Sequence, residues 1–483
     1  MTIGTLFDTV SDSDILCMSD PELFSTPCAA PKRDSRLLGA GDVFFCIRGR
    51  THDGHTAIPT AAARGAACVV IDNLTAVKAA DDHALPWILV RDTAALFLPA
   101  CLAYHGHPQR GIHLYAVTGT NGKTSVTYLL EAIFSSDPDT APCAVFGTVE
   151  NRIAGNPYRT EHTTPAPEIT AELLSRARDV GVRTVILEAS SHALAQKRLS
   201  GLHFDCAIFT NLSEDHLDYH PTIEDYYLAK RSLFYHCDRA VINIDDPHGK
   251  QLLEDPTLSC RKYSYAPNGN GAAFPLSFLP SDLSKTPCDF IAANRLAAAA
   301  CASLAGIGQS DIFSAIRSMP PIPGRMECIR QTPFSVYLDY AHTPDALHRA
   351  LSGLRKTLPT PNSRLHVVFG CGGDRERQKR PMMGAIAAAL ADRITLTSDN
   401  SRSENVQDII ADILDGIPGA QLAKAAVIED RAAAIRHVLS MAEPGDIVLL
   451  AGKGHENYQT DRSGTHPFSE REIIQSWFNE KNT

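Results

Sequence analysis

Short apolar runs alternate with amphipathic stretches along most of this chain. From about residue 112, LYAVTG (114–119), RTVILEAS (183–190), CAIFTN (206–211) and RAVINI (239–244) are each followed by segments of helical period. Runs of this length suit strands buried on both faces, and their alternation with helices predicts a parallel α/β sheet. A second series predicts another: SVYLDY (335–340), LHVVFG (365–370), RITLTS (393–398) and DIVLLAG (446–452). The Pro-rich MPPIPGR (319–325) parts the two series and reads as an interdomain hinge. Residues 1 to about 110 make a third, smaller unit ending near HGHPQRG (105–111). The alanine-rich AANRLAAAA reads as a core helix.

Length agrees with that division, since 483 residues predict about three domains at roughly 150 residues each. The net charge of −10, with no block of like charge, argues against a nucleic-acid binder, which needs a basic face. The 13 cysteines are scattered and form no C-x-x-C pair, so the expectation is a reducing cytoplasm without disulfides. The N-terminal MTIGTLFDTVSDSD lacks the basic and apolar regions of a signal peptide, and LAAAACASLAGI (296–307) is too short to span a bilayer. No membrane insertion is expected.

Chemistry concentrates at strand ends. LYAVTGTNGKTS is a strand, a Gly-rich turn and a helix start, in which Gly119 and Gly122 let backbone amides face an anion. Lys123 could reach terminal phosphates and the Thr124 hydroxyl could hold Mg²⁺, although Val117 stands where the full G-x-x-x-x-G-K-[ST] motif has its first glycine. A plain Gly-rich turn is the competing reading. Glu188 closes one apolar strand and His216 follows another, and beside Thr124 they would suit Mg²⁺. Zinc at His216, Asp218 and His220 is disfavoured, since the spacing fits no structural zinc pattern. Lys230, in IEDYYLAKRSLF, reads locally as a solvated helix lysine.

Taken in order, GTNGKTS, EASSHAL, TNLSEDHLDYH, YYLAK, PGRME, DYAHTPDAL, FGCGGDRERQKRPMM and AGKGHENYQ resemble the Mur ligases, the ATP-dependent amino-acid ligases of peptidoglycan synthesis. The resemblance runs from about residue 33 to 472 and is strongest to the branch that adds the third residue of the stem peptide. It implies three α/β domains: an N-terminal UDP-substrate domain (1–110), a central P-loop-type parallel-sheet ATPase (111–327) and a Rossmann-like C-terminal amino-acid domain (328–483). It places ATP on Gly119, Thr120, Asn121, Gly122, Lys123, Thr124 and Ser125, with Asn294, Arg325 and Asp339. Mg²⁺ would be held by Thr124, Glu188, His216 and Lys230, the last converted by CO₂ to a carbamate, which reverses the local reading of that lysine. Lys123, Lys230, His216 and Glu188 form the implied catalytic set.

The same resemblance assigns UDP-N-acetylmuramoyl-L-alanyl-D-glutamate to Ser35, Arg50, Thr51 and His52, and its peptide end to Thr163, Thr164, Ser190, Gln196 and Arg198. A simple loop before Pro165 is the competing reading of the threonine pair. It assigns the amino acid to Arg375, Asp399, Asn400, Ser401, Arg402, Gly452 and Glu456. The family members that add meso-diaminopimelate carry DNPR where this chain has Asp399-Asn400-Ser401-Arg402. An arginine suits the distal carboxylate of diaminopimelate and would repel lysine or ornithine. Ser401 to Glu404 also fits a capping box that opens a helix through Val406 and Ile409, with Arg402 in its first turn. The segment between Tyr265 and Asn294 is shorter than the family pattern. The expected enzyme is a monomer that adds diaminopimelate. A lysine- or ornithine-adding ligase, a folate-type polyglutamylating ligase and a non-catalytic nucleotide-binding relic are the alternatives.

Overall fold

The computed structural model describes residues 1–49, 52–269 and 271–481. Among the described residues the strands assemble into sheets of five, nine and six strands and a two-stranded hairpin. The nine-stranded sheet runs Phe274–Pro275, Arg261–Ala266, Cys237–Asn243, Phe204–Phe209, His113–Thr118, Thr184–Glu188, Cys143–Phe146, Asn151–Ile153 and Asn156–Tyr158. Its first seven strands are parallel and the last two antiparallel. The Gly- and Pro-containing segment after Tyr265 contributes only the edge strand Phe274–Pro275 and short helical turns.

Alternation along the central strand sorts side chains into two buried layers. Leu114 and Ala116 face one layer, with helix Thr93–Tyr104 and helix Pro167–Asp179; Tyr115 and Val117 face the other, with helix Lys123–Ser135 and the alanine-rich helix Asp289–Leu304. At about 1.5–3 kcal/mol for each fully buried large apolar side chain, these two layers hold the strands in register. The first layer continues without a break into Val43, Phe45, Val70 and Ile88 of the five-stranded sheet, so the small N-terminal unit is welded to the central one by shared apolar packing. That sheet runs Ile15–Met18, Trp87–Val90, Cys68–Ile71, Val43–Phe45 and Pro31–Lys32, antiparallel only at its first pair.

The six-stranded sheet runs Glu327–Arg330, Ser335–Asp339, Ile447–Ala451, Leu365–Phe369, Arg393–Leu396 and Ala425–Val427, parallel except at its first pair. Its first strand opens with Glu327 paired to Leu338. No helix among the described residues is long and apolar enough to cross a membrane.

At the end of this sheet away from the clefts, the Asp446 side chain is 2% exposed and accepts from Arg364 N (2.7 Å) and Glu443 N (3.0 Å) and meets His366 Nε2 (2.9 Å). Burial alone would raise its pKa; the two amides and the histidine outweigh it and hold the carboxyl below the ordinary value. A depressed folded pKa contributes stability that is present above the unfolded value and lost as pH falls through the folded one. Asp446→Asn is therefore expected to cost about 2–4 kcal/mol at pH 7. Unfolding midpoints of the variant and the parent should converge as the pH is lowered below about 4.

Candidate active site

The carboxyl ends of adjacent parallel strands bring the central residues together. Strand His113–Thr118 passes directly into Gly119 (φ +141°) and Gly122 (φ +91°), conformations that glycine adopts without strain. A Cβ on Gly119 would lie 1.9 Å from Thr210 Oγ1, just past the neighbouring strand Phe204–Phe209. Val117, the departure from the P-loop pattern, is fully buried inside the strand; the turn needs glycine only beyond Thr118. Thr120 N donates to Asn211 O (2.8 Å) and Asn121 N to Asn211 Oδ1 (3.0 Å), fixing the loop. Helix Lys123–Ser135 then starts without a side-chain cap, so its first amides can meet an anion. Lys123 Nζ donates to Gly119 O (2.8 Å) and Thr120 O (2.9 Å), and Ser125 lines the same cavity. Burial lowers the pKa of Lys123.

Glu188 ends the next strand and is 1% exposed. Its Oε2 accepts from Thr124 Oγ1 (3.1 Å) and Thr148 Oγ1 (2.8 Å), and Oε1 accepts from Thr148 N (2.9 Å). Arg325 Nη2 also donates to Thr124 Oγ1 (3.1 Å), with its guanidinium 4.5 Å from the Tyr340 ring centroid. His216, at φ +59°, donates its amide to Asp215 Oδ1 (2.9 Å) and packs edge-on to His192. Burial pushes the His216 pKa down to about 3, which leaves a neutral imidazole at physiological pH. A carboxylate, a hydroxyl and a neutral imidazole form a donor set that fits a hard divalent cation.

Lys230 is 1% exposed, which corrects the reading of a solvated lysine. Its Nζ donates to Gly119 O (2.8 Å) and lies 4.4 Å from the Tyr226 ring centroid. Burial first, and nearby Lys123 second, hold its pKa well below the ordinary value.

Asn294, Arg325 and Asp339 line one cavity with the Gly119–Ser125 loop. A Cβ on Gly122 would meet Asn294 Oδ1 at 2.5 Å, which brings the Asn294 amide against the loop. Asp339 is buried and accepts from Met326 N (2.7 Å) and Ala341 N (2.9 Å), so its carboxylate shapes the turn that carries Arg325. Asn121 Nδ2 reaches Asp345 Oδ2 (3.1 Å), a direct bridge from the loop to the C-terminal sheet's first helix.

A cleft of about 1340 Å³ leads from this cavity, lined by Thr163, Ser190 and Arg198 on one side and Asn400, Arg402 and Glu456 on the other. Thr163 accepts from Thr148 Oγ1 (3.2 Å). Thr164 is fully buried; its hydroxyl bonds Glu188 O (2.6 Å) and Ser190, so it shapes the wall and is not itself presented to the cleft. Arg198 donates to Gln196 Oε1 (2.7 Å) and Thr164 O (3.2 Å). Ser35 and His52 lie on the N-terminal unit outside the cleft lining, and Arg50 and Thr51 fall outside the described residues.

The loop after strand Arg393–Leu396 departs from its expected form. Ser401 does not cap a helix: helix Val406–Leu414 starts later and is capped by Asn405, whose side chain accepts from Gln407 N. Glu404 instead pairs with the buried Arg380 (2.8 Å) and accepts from Asp374 N (2.6 Å). Arg402 lies at φ +50°, outside any helix, with Nη1 donating to Gly373 O (2.6 Å). Tertiary partners outcompeted the local capping box. Asn400 Nδ2 donates to Glu456 Oε2 (2.8 Å), and Asn400 Oδ1 accepts from Thr460 N (2.9 Å) and Lys453 Nζ (3.2 Å). A Cβ on Gly452 would lie 2.7 Å from Asp399 Oδ2. Arg375 borders the same cleft.

Thr148, His192, Asp215 and Lys453 belong to the site, although the sequence did not single them out. His192, Asp215 and Lys453 sit inside motifs already quoted, whereas Thr148 has no pattern of its own.

A Gly-rich turn opening an uncapped helix, a carboxylate–hydroxyl–imidazole cluster beside it and a charged cleft shared with a second sheet suit a nucleotide-dependent group-transfer enzyme. The chain matches the Mur ligase middle domain over residues 117–306, the Mur ligase glutamate ligase domain over 324–454 and the Mur ligase family catalytic domain over 32–95. It belongs to the Mur ligase family. A UDP-N-acetylmuramoyl-L-alanyl-D-glutamate--2,6-diaminopimelate ligase of Trichormus variabilis is 38% identical over 100% of this chain and 99% of its own length. Its counterpart in Synechococcus elongatus is 40% identical over 91% of each chain. A solved structure of a ligase with this name superposes with a TM-score of 0.66 at 31% identity, covering 96% of this chain and 97% of the other. A folylpolyglutamate synthase of Mycobacterium tuberculosis shares the fold at 17% identity, with a TM-score of 0.58 over 74% of this chain and 91% of the other.

Gly119→Ala forces a side chain into both a disfavoured φ and the Thr210 hydroxyl. Titration with ATP is expected to show affinity reduced about 100-fold, and the unfolding midpoint should also fall, by the equivalent of about 1–3 kcal/mol of backbone strain.

Proposed function

We propose that this protein is the ATP-dependent ligase that joins meso-diaminopimelate to UDP-N-acetylmuramoyl-L-alanyl-D-glutamate. The observation that carries the reading is a cavity lined by the Gly-rich loop that shares Thr148, Thr163, His216 and Tyr340 with a cleft bearing an arginine beside an Asn–Glu pair. A free amino acid with a second ionised end needs both signs of charge, and Glu456 and Arg402 supply them. Lysine and ornithine bring a distal cation that Arg402 repels, whereas diaminopimelate brings a carboxylate that a guanidinium can grip with two hydrogen bonds.

The reaction follows from charge. The D-glutamate carboxylate attacks the γ-phosphorus of ATP, the bond to ADP breaks, and an acyl phosphate forms. The amine of diaminopimelate then attacks the acyl carbon, phosphate leaves with the bonding electrons, and the amine loses a proton. Lys123 and the amides of residues 119–124 would neutralise the oxygens that gain charge during phosphoryl transfer. Thr124, Glu188 and His216 would hold Mg²⁺, which supplies further positive charge to the phosphates. Asn294 would meet the nucleotide base, with Arg325 and Asp339 forming the hinge-side wall.

Lys230 fits the carbamate reading on physical grounds. Only an unprotonated amine reacts with CO₂, and burial, with Lys123 nearby, shifts Lys230 toward the unprotonated form. The neutral amine forms an N–C bond to CO₂ and releases one proton, so an uncharged buried amine becomes an anion beside the cation site. Within this reading, residues 1–110 serve the uridine nucleotide end of the substrate, 111–327 the ATP and 328–483 the amino acid. The enzyme acts as a monomer in the cytoplasm, where the thirteen cysteines, all free thiols in this fold, remain reduced.

Phosphate release from ATP and the UDP-dipeptide should depend on meso-diaminopimelate and not on lysine or ornithine; the reverse preference would remove the role given to Arg402. Arg402→Ala is expected to raise the KM for diaminopimelate by about 100-fold. Lys230→Ala should lose nearly all turnover and regain a measurable part of it with added acetate or formate. Full activity in that variant without additive would exclude the carbamate.

A further inference from the structure

The two loops that carry the amino-acid half of the cleft cannot be tied together by the sheet that bears them. One, Asp399 to Arg402, follows strand Arg393–Leu396; the other, Gly452 to Glu456, follows strand Ile447–Ala451. Strand Leu365–Phe369 lies between them, so the two loop origins sit about 10 Å apart across the sheet and share no ladder hydrogen bond. Their spacing decides whether Asn400 and Arg402 face Glu456 at a distance that suits one ligand.

At the bases of the loops, one buried side chain spans that gap. Arg431, the first residue of helix Arg431–Met441, is 1% exposed. Its Nη1 donates to Ser398 O (3.2 Å), immediately before Asp399, and its Nη2 donates to Ala451 O (2.8 Å), immediately before Gly452. Nε donates to Glu470 Oε1 (2.9 Å), a 2% exposed carboxylate at the start of helix Glu470–Lys481, and Nη1 lies 3.9 Å from Asp399 Oδ2. Glu470 supplies the opposite charge that a buried guanidinium requires. Only a planar fork with separately aimed donors can hold two carbonyls and a carboxylate at once; a lysine would meet them as a point charge. On the cleft side the fully buried Lys453 ties Asn400 to Glu456, so the loops are held from both sides.

We propose that Arg431, backed by Glu470, is a positioning residue for amino-acid recognition: it clips the two loops at their bases and sets the distance between Asn400–Arg402 and Glu456. This rests on the assignment of that half of the cleft to the incoming amino acid. It touches no substrate, so its loss should move the amino-acid terms alone.

The informative variant is the double substitution Arg431→Met with Glu470→Met, which removes both buried charges together and spares the fold an uncompensated ion. With ATP, the UDP-dipeptide and diaminopimelate, its KM for diaminopimelate is expected to rise about tenfold or more, and those for ATP and the UDP-dipeptide to stay within about twofold. Arg431→Lys, which keeps the charge, should fall between the two. Backbone hydrogen exchange should accelerate in 398–404 and 451–457 and not in 119–124. An unchanged KM for diaminopimelate, or equal rises in all three KM values, would overturn the proposal. If the parent enzyme showed no diaminopimelate-dependent turnover, the functional reading would fail instead. The exchange comparison would still judge the clip, and unaltered exchange in both loops would reject it.

Discussion

Parallel strand pairing at the centre of the nine-stranded sheet is the constraint on which the rest depends. Thr184–Glu188 and Phe204–Phe209 flank His113–Thr118 in parallel register, so Gly119, Glu188 and Thr210 leave the sheet at one edge. An antiparallel neighbour would send its terminus to the opposite edge. The Thr124 hydroxyl then meets Glu188, and Lys230 reaches Gly119 O from a helix more than a hundred residues away. The chemistry is a consequence of strand direction.

Burial acts on that arrangement with opposite consequences for different groups. It leaves His216 neutral and Lys230 inclined to lose its proton. It also leaves Glu188 fully enclosed, where two threonine hydroxyls and an amide satisfy its oxygens. Threonines 124 and 148 thereby hold the carboxylate in one orientation.

The half of the cleft carried by the C-terminal sheet is built differently. Its residues come from loops that leave non-adjacent strands of a smaller sheet, and side-chain bonds substitute for the ladder. Arg431 works beneath, Lys453 within, and the hairpin at Thr460 alongside. Such a half-site can change its preferred ligand through loop residues while the sheet below stays the same. The Gly119–Ser125 turn, by contrast, is rooted in adjacent strands.

Much of this was legible in the residues alone. The buried strands announce themselves as apolar runs because a parallel sheet has no wet face, and GTNGKTS is readable because its geometry is local. Motif order was enough to point to the family. Wherever the outcome depended on partners distant in the chain, only the tertiary structure decided it. Lys230 looks solvated in its own helix yet is enclosed by Tyr226 and the phosphate loop. Ser401 to Glu404 has the spacing of a capping box, but Arg380 and Asp374 take Glu404 away and the helix waits for Asn405. Thr148, Arg431 and Glu470 carry no local signature, because what each does is set by atoms that only folding brings near.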